Sequence, residues 1–179
     1  MPDRPQRPRQ SSNRARVPLY TPAQRARRDA SRWTLVQGVL APLQFLVFAV
    51  SVCLVLRFLA TGEGYAAATV SILLKTSLLY LIMVTGAIWE HDVFGRYLFA
   101  PAFFWEDVVS MLVLALHTAY LVALYAGAFT PRGQMLLALA AYATYAVNAT
   151  QFLLKLRAAR LEAPPRRDTP LAGTVKFAK

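Results

Sequence analysis

Four apolar stretches, each long enough to cross a bilayer, leave this chain few ways to fold. A spanning helix needs roughly 20 apolar residues, and the runs at about Trp33–Ala60, Ala66–Trp89, Phe104–Ala128 and Gly133–Leu156 all reach that length. In hydrocarbon every backbone N–H and C=O must be satisfied within the protein, so runs of this kind are helices. The connectors Thr61-Gly62-Glu63-Gly64-Tyr65 and Phe129-Thr130-Pro131-Arg132 are short and carry turn-forming Gly or Pro. Short connectors set neighbouring helices antiparallel. The expectation is an all-α, polytopic membrane protein, a four-transmembrane-helix up-down bundle, with Pro42 kinking the first span.

Charge divides the chain. Its 179 residues carry a net +11 and are 56% hydrophobic, with a mean hydropathy of +0.38. The two numbers conflict until the charge is mapped. Residues 1–32 hold nine arginines against Asp3 and Asp29, and residues 155–179 hold seven Lys/Arg against Glu162 and Asp168. Between them the cations are Arg57, Lys75, Arg96 and Arg132. The expected organisation is a basic Arg/Pro-rich tail over 1–32, a four-helix transmembrane domain over 33–157 and a basic C-terminal tail over 158–179.

An even number of spans puts both tails on one side, and the positive-inside rule makes that side the cytoplasm. Basic residues beside a span favour anionic membrane lipid as partner over nucleic acid. The N-terminus lacks the short apolar core and cleavage site of a secretory signal peptide. Cys53 is the one cysteine; it forms no internal disulfide and is expected as a small buried hydrophobe. The alanines of the fourth span suit close helix packing.

Polar residues fall into two layers. Lys75 lies roughly 14 Å from the outer end of the second span and His117 roughly 20 Å from the inner end of the third, by helical rise. Gln44, Tyr142 and Tyr145 fall at the same level. A lysine at mid-helix costs on the order of 2.5–3.5 kcal/mol, so Lys75 needs a partner, a polar cavity or an outward snorkel to the headgroups. His117 is either a hydrogen-bonded packing residue or an axial ligand. Paired histidines for a bis-histidine haem, Cys/His zinc spacing and a phosphate-cradling glycine motif are not evident, and a protein-bound metal is not expected.

The second layer, nearer the cytoplasm, holds Gln37, Glu90, Asp92, Glu106, Asp107, Asn148 and Gln151. Glu90, Asp92, Glu106 and Asp107 fall within eighteen residues, in and just after a hairpin segment (90–103) rich in aromatic residues. Carboxylates at the edge of hydrocarbon are costly and mark function. At 3.6 residues per turn, Glu106, Ser110, Val113, His117 and Tyr120 share one narrow stripe. The plainer reading is that Glu106 and Asp107 simply suit a helix N-terminus.

Four blocks closely resemble a known family, the 2-vinyl bacteriochlorophyllide hydratases of bacteriochlorophyll synthesis. They are Tyr20–Phe48, Leu59–Thr76, Val84–Leu121 (VTGAIWEHDVFGRYLFAPAFFWEDVVSMLVLALHTAYL) and Ala140–Glu162. The likeness spans nearly everything from Tyr20 to Glu162, and His91 is a departure from it. The resemblance implies a membrane hydro-lyase that adds water to the 3-vinyl group of chlorophyllide a or a related pigment. It implies a magnesium tetrapyrrole substrate, no further cofactor, and the inner (cytoplasmic or photosynthetic intracytoplasmic) membrane of a phototrophic bacterium.

Hydrating such a vinyl group takes a general acid and a group that orients water. Glu106 is the expected proton donor, with Glu90 or Asp107 orienting water. Trp89, Trp105 and Phe104 are expected to hold the flat macrocycle, with His117 on its magnesium and Lys75 and Tyr145 also contacting it. Other pathway enzymes and a second copy of the chain are further candidate partners. The competing classes are a non-catalytic pigment carrier or assembly factor, which has no need of the carboxylates, and a small transporter coupled through Lys75.

Overall fold

A computed structural model describes residues 19–161; the parts of the expected basic tails at 1–18 and 162–179 lie outside the described residues. Among the described residues the chain is all helical. The helices are α1 (Pro22–Ala30), α2 (Arg32–Thr61), α3 (Tyr65–Phe94), α4 (Phe104–Tyr125) and α5 (Pro131–Leu161). Four of them, α2 to α5, are long and apolar enough to cross a membrane, which makes this a multi-pass membrane protein.

Local signals set the boundaries. Thr21 and Gln24 form a reciprocal capping box over α1, with Pro22 in its first turn. Ser31 ends α1 and caps α2, its Oγ accepting from Trp33 N–H at 3.3 Å. Gly62 and Gly95 close α2 and α3 at φ 78° and 77°, a left-handed conformation that favours glycine. α2 runs on through Pro42.

Boundaries differ from expectation at three points, one of them α5, which runs past Leu156 to Leu161 and so into the expected C-terminal tail. Helix α1 lies inside the segment expected as a tail; its nine residues are too few and too basic to register as an apolar run. Helix α3 continues past Trp89 to Phe94, so Glu90 and Asp92 sit in its last turns rather than in a connector. Helices outlast their hydrophobic stretch wherever backbone bonds and caps permit.

Helix α2 pairs with α3 and α4 with α5, while thinner seams join α2 to α5 and α3 to α4, and α1 lies on α3. Side chains record the pairing: Ser31 bonds Asp92, Gln37 bonds Thr85 and Ser51 bonds Ser71, so α2 numbers rise as α3 numbers fall. The buried residues form three levels. One contains Val55, Phe58, Ile72, Tyr120, Met135 and Tyr142. A middle one contains Leu79, Val113 and Tyr145. The third contains Tyr20, Val93 and Phe103, at the end that carries the carboxylates.

Many large apolar side chains point outward, among them Leu35, Val39, Phe45, Leu46 and Leu153; in a bilayer they meet lipid. Cys53 is also exposed, which corrects the expectation of burial. A thiol is apolar enough that hydrocarbon serves it as well as a core does.

Ser51 accounts for one polar crossing, bonded to both Ser71 and Tyr142. Ser51→Ala leaves the Tyr142 hydroxyl unpaired in a dry interior, a cost of about 1–3 kcal/mol. We expect a lower thermal midpoint for the detergent-solubilised protein, with Cys53→Ala on the outer face leaving it unchanged.

Candidate functional site

The end of the bundle that carries Glu90, Asp107 and Glu106 is built by four elements. The last turns of α3 supply Glu90, the first turn of α4 supplies Glu106 and Asp107, and α5 supplies Lys155. The connector 95–103 closes over them. All three carboxyls are largely buried, at 4%, 6% and 8% exposure for Glu90, Asp107 and Glu106. Burial of three acids demands compensation, and each finds some.

Lys155 Nζ donates to Glu106 Oε2 at 2.6 Å. Asp107 Oδ2 accepts from Phe99 N–H at 2.8 Å. Phe99 holds a positive φ of 59°, unusual for a side chain of its size, and the bent backbone aims its amide at the carboxyl. The Glu90 and Asp107 carboxyls lie near enough to act on each other electrostatically, with the Ala100 backbone beside Glu90. Ionised carboxylates only accept hydrogen bonds, so the two can bond each other only when one of them carries a proton. Glu90 Oε2 is buried without a partner among the described residues.

An aromatic cluster seals one side. Phe103 stacks on Phe152 at 5.9 Å and meets Trp89 edge-on at 5.6 Å; Tyr20 stacks on Phe94 at 5.8 Å. Trp89 is fixed further by its Nε1–H, which donates to Thr34 Oγ1 at 2.9 Å. Arg28 lies 4.9 Å above the Tyr20 ring. Burial raises the Tyr20 hydroxyl above the ordinary tyrosine range in spite of that guanidinium, so it stays neutral. Asp92 stands at the rim, accepting from Ser31 Oγ at 2.8 Å.

The other aromatic candidates face outward. Phe99, Phe104 and Trp105 are 38%, 44% and 69% exposed and form a ribbon, with ring centroids 5.8 Å and 5.5 Å apart in sequence along it. The ribbon starts at the residue whose amide grips Asp107. Trp89 does not belong to it.

The remaining candidates form a separate layer. His117 is eleven positions along α4 from Glu106, about 16 Å by helical rise. Lys75 is fully buried, and its ammonium lies 3.6 Å from the Tyr145 ring centroid, so it does not snorkel outward. A cation over an aromatic face replaces part of the hydration it loses. His117 Nδ1 lies 2.8 Å from the Val113 carbonyl, which makes Nδ1 the protonated nitrogen and leaves a lone pair on Nε2, buried and without a partner. Gln44, Thr76 and Lys75 also keep unpartnered polar atoms at this level.

Three participants escaped the sequence reading. Lys155 counts there only as one more tail cation, and its spacing from Glu106 along the chain carries no signal. Tyr20 and Phe152, from the two ends of the described chain, are both brought to Phe103 only by the fold. Their one sequence trace is that both fall inside the resembling blocks.

The family model described as 2-vinyl bacteriochlorophyllide hydratase matches residues 20–158. The chain is similar to the 2-vinyl bacteriochlorophyllide hydratase of Cereibacter sphaeroides, 75% identical over 145 residues, which covers 80% of this chain and 89% of the relative. It is also similar to that of Rhodobacter capsulatus, 67% identical over 163 residues, 91% of each chain. No solved structure matches it.

The Glu106–Lys155 pair can be tested without any substrate. Lys155→Met strands a buried carboxylate and is expected to cost about 1–3 kcal/mol, while adding Glu106→Leu recovers part of the loss. A double-mutant cycle on unfolding in detergent reads the coupling; additive losses would mean the two side chains do not interact.

Proposed function

The chain belongs to the 2-vinyl bacteriochlorophyllide hydratase family, and from that premise we propose that it hydrates the 3-vinyl group of chlorophyllide a or a related bacteriochlorophyllide, using Glu90, Asp107 and Glu106. The product is the 3-(1-hydroxyethyl) pigment. The enzyme is a hydro-lyase of bacteriochlorophyll biosynthesis. The observation that carries the residue assignment is the nearness of the buried carboxyls of Glu90 and Asp107, beside the Glu106–Lys155 pair.

The chemistry follows from the vinyl group. A proton must reach its terminal carbon, the inner carbon then carries positive charge delocalised into the ring, and water adds there. The Glu90–Asp107 pair is assigned as proton donor, with Glu90 Oε2, buried and without a partner among the described residues, as the oxygen that presents the proton. This moves the donor role from Glu106, which already accepts from Lys155. Glu106 instead takes the proton of the attacking water. Carboxylates set around the inner carbon stabilise its developing charge in a site of low dielectric.

The macrocycle is amphiphilic and arrives through the membrane. The exposed ribbon Phe99–Phe104–Trp105 offers it a flat apolar face that leads to Asp107. Trp89 backs the site from inside. His117, Lys75 and Tyr145 lie deeper; His117 Nε2 can reach the substrate's magnesium as axial ligand only when the helices part around its ring, which is 1% exposed. Hydration leaves the overall oxidation state unchanged, so the reaction asks for no redox cofactor.

The antiparallel α2–α3 contacts support an up-down bundle, and the arginines of α1 with Arg157 and Arg160 of α5 support a cytoplasmic placement of both ends. The acid site then lies at the cytoplasmic side of the bacterial inner membrane.

Membranes containing the chain, given a 3-vinyl chlorophyllide, should yield pigment heavier by one water. Glu90→Gln is expected to lower kcat by about 10²–10⁴-fold, the usual worth of a general acid. Undiminished turnover by Glu90→Gln would sink the donor assignment. Trp105→Ala is expected to raise KM several-fold with kcat nearly unchanged, as for a contact equal in ground and transition states.

A further inference from the structure

Two cross-links tie α4 to α5 at the acid end. Lys155 donates to Glu106 at 2.6 Å, and Asn148 Nδ2 donates to Ser110 Oγ at 2.8 Å. The stretch of α5 from Asn148 to Lys155 rises about 10 Å, and Gln151 stands between the two rungs, one turn from each. Asn148 is 8% exposed. Its Oδ1 and the Oε1 of Gln151 are both buried and without a partner among the described residues. Turning the Asn148 amide over would only exchange which of its polar atoms is left free.

Buried carbonyl-type acceptors in a membrane interior are rarely left unpaired. Two of them ask for one ligand with two hydrogens to give. Ser110 accepts from Asn148 and still has its own hydroxyl hydrogen to donate, so the ligand should also accept. A water molecule meets all three requirements, and about three polar partners is what buried water usually has. A metal cation would suit the oxygens but not the Lys155 ammonium on the next rung.

We propose that Asn148 and Gln151 hold the water that becomes the new hydroxyl group, and thereby choose which face of the inner vinyl carbon it attacks. This rests on the hydratase reading above. The π pair of the vinyl group forms the new C–H bond with the proton from Glu90 and Asp107. A lone pair of the held water forms the C–O bond, and once one O–H turns away from its amide acceptor its surplus proton passes to Glu106. One proton enters and one leaves. The terminal carbon becomes a methyl group and carries no stereochemistry, so the configuration of the alcohol is decided by which face of the inner carbon the held water meets.

The test is therefore the ratio of the two alcohol epimers, resolved by chiral chromatography of the product pigment. The unmodified chain should give one epimer in excess. Gln151→Leu and, separately, Asn148→Ala should lower that ratio by about threefold to tenfold, the worth of one hydrogen bond, whatever they do to rate. Gln151 is only half-buried, so its variant should fold even where Asn148→Ala does not. A residue that matters only for packing lowers the amount of product and leaves the ratio alone. An unchanged ratio in Gln151→Leu, or equal epimers from the unmodified chain, would overturn the proposal. Absence of any hydrated pigment from the unmodified chain would instead bring down the hydratase reading, so the two failures are distinguishable.

Discussion

The organisation of this protein depends on one constraint: polar atoms surrounded by hydrocarbon must find partners inside the protein. The backbone meets it by forming four long helices. Side chains meet it between helices, where Gln37 reaches Thr85, Ser51 reaches Ser71 and Tyr142, Asn148 reaches Ser110 and Lys155 reaches Glu106. These bonds fix the register of each pair of helices more sharply than apolar contacts do, because lipid offers apolar surfaces an equal alternative and offers polar groups none.

The same constraint explains where function collects. Where partners run out, polar atoms stay free, and among the described residues most of them gather at two levels. The middle layer keeps Gln44, Lys75, Thr76 and His117 partly unpartnered; the acid end keeps Glu90, Asn148 and Gln151 so. The second group lies among three buried carboxyls and next to an exposed aromatic ribbon, an arrangement that packing alone does not call for. Acid–base chemistry on an apolar, membrane-borne pigment needs those two features together.

The N-terminal helix adds a structural role for a segment whose composition reads as a charged tail. Tyr20 is inserted beneath Phe94 and Phe103, and α1 then lies against α3. The basic helix thus covers the wall behind the acid site, and its arginines stay at the edge of the apolar region. Composition registers the arginines; the single buried tyrosine that anchors them leaves no compositional trace.

The four spans, the two polar layers and the α4 stripe of Glu106, Ser110, Val113, His117 and Tyr120 were legible from the sequence. Each depends on the period of one helix or on the apolar length a bilayer demands, and both are local properties. Whether α3 would carry Glu90 within its last turns, and which of three neighbouring acids would meet Lys155, were not legible. Those outcomes depend on how far helices from distant parts of the chain slide and rotate against one another, so only the tertiary structure decided them. It set Glu90 beside Asp107 and gave Glu106 to Lys155, because a carboxyl's role follows from the atoms packed around it.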